Sequence, residues 1–154
     1  MGPFYQYIED WLNIYKSEYD VIFQTFFNNG TYNLLGITFL ALPFVLLIGF
    51  YFLWKYPYGK FWHWLIYIII VAIIVGIVSW QVTYNGIFNS NSQELENLLN
   101  NNRVPDGAQL GYEDFAYSLL PKYAIINGVL AAFVSFIYSL IQKQFSKIQI
   151  HLPF

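Results

Sequence analysis

Three blocks of the chain are almost unbroken runs of apolar residues, and between them the pattern is polar or amphipathic. The blocks run from Leu34 to Trp54, Phe61 to Val82 and Leu119 to Ile141, with no charged residue deep inside any of them. A helix rises about 1.5 Å per residue, so about 20 residues cover the roughly 30 Å hydrocarbon core of a bilayer. The expected fold is therefore all-α: a polytopic helical membrane protein with three transmembrane helices plus an amphipathic N-terminal helix. The pattern divides the chain into an exterior amphipathic helix and linker (1–33), a first span (34–54), a cytoplasmic turn (55–60), a second span (61–82), an exterior loop with a short helix (83–118), a third span (119–141) and a cytoplasmic tail (142–154).

The segment from Pro3 to Phe27 has a helical period. Phe4, Ile8, Trp11, Leu12, Tyr15, Tyr19, Ile22 and Phe26 recur at threes and fours, with Glu9, Asp10, Asn13, Ser17, Asp20 and Gln24 opposite. Such a face suits either a helix lying in the membrane interface or one packed on protein. Asn28-Asn29-Gly30 closes the helix with residues that tolerate left-handed backbone. In the long loop, Ser90 or Ser92 caps a short helix over Gln93–Asn101 carrying Leu95, Leu98 and Leu99 on one face. Pro105-Asp106-Gly107 signals a turn, and Glu113 and Asp114 suit the first turn of a helix that runs on into the third span, with a kink expected at Pro121.

Small residues mark where the spans meet other helices. Span two places Ala72, Gly76, Ser79 and Thr83 in a narrow arc. Span three places Ala124, Gly128, Ala131, Ala132, Ser135 and Ser139 on one side, with Ile125, Val129, Phe133, Phe136, Ile137 and Leu140 on the other. Small side chains let backbones approach closely, which is how helices associate in lipid. These faces are expected to pack on each other, on a second copy or on another membrane protein. Asn127 is the most costly of the intramembrane polar residues to leave in lipid and should face another helix or water. Pro43 removes a backbone donor from the first span and should kink it.

Composition sharpens this picture. Charged residues make up 10% of the 154 and aromatics 22%, many of the latter flanking the blocks (Tyr32, Tyr51, Trp54, Trp62, Trp64, Trp80, Tyr84, Tyr117, Tyr123) as interfacial belts do. There is no cysteine, which excludes disulfides and thiolate chemistry. No cleavable signal pattern is visible, and the first span is expected to double as an uncleaved targeting signal. The net charge of −2 carries no basic cluster and predicts no nucleic-acid partner.

Charge placement predicts orientation. Lys55 and Lys60 lie between spans one and two, Lys143 and Lys147 follow span three, and all nine acids lie in the other two polar segments. Positive residues are retained on the cytoplasmic side, so the N-terminus is expected outside and the C-terminus inside, in a bacterial inner membrane.

Candidate chemistry is sparse. His63 and His151 are separated by this topology from the acids, so no metal site or cofactor is expected, and Glu94, Glu96, Glu113 and Asp114 read as solvated or helix-starting carboxylates. No small-molecule substrate and no enzymatic activity are predicted. The reading that follows is a non-enzymatic integral membrane subunit, anchoring or scaffolding a larger assembly of the secretion, translocation or envelope type. Alternatives are a small polytopic immunity or inhibitor protein against a membrane-active toxin, or an oligomeric pore lined by Asn127, Ser135 and Ser139. The partners expected are membrane lipid and other membrane proteins or further copies of the chain.

Overall fold

Asparagine and glycine punctuate the helices. The computed structural model describes residues 1–53 and 61–143, which form six α-helices and no strand: α1 (Gly2–Trp11), α2 (Asp20–Asn28), α3 (Thr31–Ile48), α4 (Phe61–Phe88), α5 (Gln93–Asn100) and α6 (Tyr112–Lys143). A 3-10 turn (Ser17–Tyr19) precedes α2, and a π-type turn (Gly49–Leu53) follows α3. Three helical stretches are long and apolar enough to cross a membrane: Thr31–Tyr51, Phe61–Phe88 and Tyr112–Gln142. The second and third are longer than the apolar blocks, because residues of the loop between them continue both helices past the apolar runs, α4 to Phe88 and α6 from Tyr112. Trp54, the turn 55–60, Lys147 and His151 lie outside the described residues.

The N-terminal segment departs from expectation. It is not one helix over Pro3–Phe27 but two, and the reason is Asn13. Its φ of 53° is left-handed, Ile14 N donates to Glu9 O (2.7 Å) and Asn13 N to Asp10 O (3.2 Å). That pair of bonds is the Schellman stop, whose left-handed position is usually glycine and sometimes asparagine. Burial of Ile14 completes it. Gly30, with φ of 71°, makes the second break, between α2 and α3, as expected.

The chain divides into two compact units. Unit 1 comprises residues 1–36 and 79–123: α1, α2, the first turns of α3, the last turns of α4, α5 and the first part of α6. Its core holds Tyr5, Ile22, Phe26, Tyr32, Leu95, Phe115 and Tyr123. Two long-range hydrogen bonds tie the 3-10 turn to the start of α6: Tyr19 OH donates to Leu110 O, and Tyr112 OH donates to Glu18 O (2.9 Å). Ser92 caps α5 as expected, accepting from Leu95 N at 3.3 Å, and Leu95 and Leu99 are buried. Asn102 accepts from Glu113 N (3.1 Å) at the start of α6, an approach possible because Gly111 has no Cβ to meet the Asn102 amide. Gly86 similarly leaves room for Thr31 of α3.

Unit 2 comprises the described residues within 37–78 and 124–143. Leu47, Phe50, Tyr51, Trp64 and Ile68 form an apolar cluster in it. Pro43 lies inside α3. The carbonyls of Phe44 and Leu46, between Pro43 and the π-type turn, each accept a side-chain hydrogen bond from another helix: Gln142 Nε2 to Phe44 O (3.2 Å) and Tyr67 OH to Leu46 O (2.7 Å). Neighbouring side chains of this kind let membrane helices tolerate backbone irregularity.

Candidate functional site

Residues of α1 three and four apart share a face, and α1 has two contrasting ones. Gly2, Tyr5 and Glu9 point inward and are buried. Phe4, Tyr7 and Trp11, on the opposite side, are exposed, Tyr7 at 74% and Trp11 at 77%. The acid is inside and the tryptophan outside. Of the predicted stripe, Tyr19, Ile22 and Phe26 are buried, Ile8 is half-buried, and Phe4, Trp11, Leu12 and Tyr15 are exposed. The stop at Asn13 resets the helical phase, so one stripe becomes two unrelated faces.

Glu9 is 1% exposed and is the one buried acid among the described residues. Tyr123 OH of α6 donates to its Oε1. The Tyr32 hydroxyl of α3 is buried beside the same carboxyl without a well-aligned hydrogen bond of its own. The rings of Tyr5, Phe26, Tyr32 and Tyr123 enclose it: Tyr5 stacks on Tyr32 at 5.5 Å, and Phe26 meets the edges of both Tyr32 and Tyr123 at 5.6 Å. Burial in this cage pushes the Glu9 carboxyl above the ordinary carboxylate range, and Asp10 adds to the effect. The Tyr123 and Tyr32 hydroxyls oppose it.

Beside this cage, a polar cavity of about 480 Å³ opens between α1 and α2. Gln6, Glu9, Asp10, Asp20 and Gln24 line it. Asp20 is already engaged there by Tyr15 OH (3.0 Å) and Gln24 Nε2. The bond to Asp20 is the leading reason that the Tyr15 hydroxyl is held above its usual range. The cavity has acceptors but no nucleophile–base pair, and among the described residues no group of three His, Cys, Asp or Glu side chains is placed to hold a metal ion. No protein-family model, curated protein or solved structure matches this chain.

The small-residue faces meet within unit 2. A Cβ on Gly76 of α4 would lie 3.2 Å from Ala124 O of α6, and one on Gly128 would lie 3.2 Å from Ala72 O. This reciprocal close approach leaves a shallow apolar groove of about 400 Å³, lined by Ala72, Gly76, Ala124, Gly128 and Ala132 with Ile69, Ile73, Ile125 and Val129. Asn127, Ser135 and Ser139 are buried in unit 2, and Ser79 is buried in unit 1. Ser139 Oγ is shared by Tyr51 OH and by Trp64 Nε1, the latter at 2.6 Å. Ser135 Oγ has no hydrogen-bond partner among the described residues. His63 is half-buried at the start of α4.

The sequence reading missed Glu9, Tyr32 and Tyr123 as a cluster. The spacing of Gly2, Tyr5 and Glu9 was the available signal, but it was outweighed by the larger apolar residues on the other side. Tyr32 and Tyr123 read as belt residues because nothing local to either marks a partner 91 residues away.

Proposed function

We propose that the protein is a non-enzymatic integral membrane subunit that anchors or scaffolds a larger membrane assembly. The supporting observation is how its apolar helices use their polar side chains. Tyr51 and Trp64 both bond to Ser139, and Gln142 and Tyr67 bond to carbonyls of α3. These groups hold helices in register instead of converging on a space where a substrate would sit. A pore lined by Asn127, Ser135 and Ser139 has less behind it, since all three are buried against the chain's own helices. The lysine placement supports an exterior N-terminus and a cytoplasmic C-terminus in a bacterial inner membrane.

The test is purification from cross-linked native membranes in a gentle detergent. Recovery in a large complex with defined co-purifying proteins is expected. A monodisperse, solitary chain recovered from the cross-linked membranes overturns the proposal. Deletion that sensitises cells to a membrane-active toxin without loss of any assembly replaces it with the immunity reading.

A further inference from the structure

The depth at which α1 is held determines what its outward aromatic face meets. Met1 N donates to Asn33 Oδ1 (3.0 Å). A Cβ on Gly36 would run into the Met1 side chain, so Met1 packs directly on that position. Gly36 is two residues past Leu34, where the first apolar block begins, which is about 3 Å along the helix axis. A second helix gives a similar level. Tyr5 and Glu9 of α1 contact Tyr123, which lies four residues inside the third apolar block beginning at Leu119. Two separate attachments therefore put α1 at the boundary between headgroups and acyl chains, where interfacial helices lie about 5–10 Å deep.

At that level the inward face, Gly2, Tyr5 and Glu9, is fixed by the tyrosine cage, and this sets the roll of the helix. Phe4, Tyr7 and Trp11 then fall within about 60° of one another on the outside, at 100° per residue. Their chemistry matches the place: Trp and Tyr are the residues that gather at membrane–water interfaces. Acids lie elsewhere on the helix, with Asp10 turned toward the polar cavity together with Gln6. We infer that the Phe4–Tyr7–Trp11 face of α1 is seated in the lipid interface of the outer leaflet, making α1 a fourth, in-plane membrane element locked to the spans through Glu9. The occupant of this face is lipid and not a protein partner.

The chain has no cysteine, so single labels carry no background. The variants Tyr7→Cys, Trp11→Cys and Gln6→Cys replace exposed residues, and Ile73→Cys on the exposed face of α4 serves as the reference in lipid. Each is spin-labelled in vesicles of phosphatidylethanolamine and phosphatidylglycerol, and collision with oxygen is compared with collision with a water-soluble nickel chelate. Labels at 7 and 11 should favour oxygen several-fold more than the label at 6, and should fall between it and the deeper label at 73. Water-like behaviour at 7 and 11 with a lipid-like label at 73 overturns the inference and leaves that face to a protein partner. Water-like behaviour at 73 as well overturns the membrane reading on which the inference rests.

Discussion

Two serines one turn apart on α6 separate bonding from burial. Ser135 and Ser139 are the same residue type, both buried, and Ser→Ala removes one oxygen from each. Ser139 is the shared partner of Tyr51 OH and Trp64 Nε1, whereas Ser135 Oγ is unpartnered among the described residues. Interhelical hydrogen bonds in membrane proteins average about 0.6 kcal/mol, with a maximum near 1.7. Losing two should cost about 1–3 kcal/mol. Ser135→Ala instead removes a hydroxyl that is desolvated without return, so stability should stay within about 0.5 kcal/mol of the parent or rise. A gap of even 1 kcal/mol is about fivefold in the unfolding constant. The assay is unfolding in mixed micelles with increasing dodecyl sulfate, followed by tryptophan fluorescence, which Trp64 should report directly. Equal midpoint shifts for the two variants would refute the reasoning, because size alone would then explain both.

The buried carboxyl predicts a pH dependence. The folded state favours neutral Glu9 through burial, with Asp10 adding to it and the Tyr123 and Tyr32 hydroxyls opposing it. Its stabilising contribution is therefore complete below the ordinary carboxylate range and is lost as pH rises through the raised value. Protection of α1 amides, corrected for intrinsic exchange, should fall with rising pH in the parent and be level in Glu9→Gln; the same slope in both would reject this. Gly128→Ile pushes a branched side chain toward Ala72 O, so α4 and α6 must separate at a cost of about 1–3 kcal/mol, with Gly128→Ala milder, read from the same micellar unfolding midpoint. Ser92→Ala should weaken α5 by about 0.5–2 kcal/mol, seen as faster amide exchange confined to Gln93–Asn100.

The three apolar helices, the Ser92 cap and the breaks at Gly30 and Gly107 were legible because each is decided locally, by composition or by one residue's backbone preference. Leu95 and Leu99 were legible for the same reason, as a helical face three turns long at most. Asn13 was misread because a helical period on both sides of it happened to keep phase across the stop. Sequence alone shows that an asparagine tolerates the left-handed region, not that Ile14 will be buried to draw it there. Gly76 and Gly128 were singled out by size, but only the structure shows that each sits against a backbone carbonyl of the other helix. Ser135 and Ser139 were indistinguishable for the opposite reason: their difference lies in what the π-type turn after α3 and the start of α4 bring to them. Glu9 was hidden by its charge, which ordinarily argues for solvent.

The bond from Tyr123 to Glu9 spans 114 residues, and the two tyrosine bonds at the start of α6 span 91 and 94. None of them can form before Tyr123, Leu110 and Tyr112, respectively, have been made. At about 5–20 residues per second, the ribosome leaves roughly 6–23 s between synthesis of Glu9 and synthesis of Tyr123. Throughout that interval the Glu9 carboxyl lacks Tyr123 as its donor. The helix α1 is thus among the later elements to acquire its final place, since its docking waits on Tyr123.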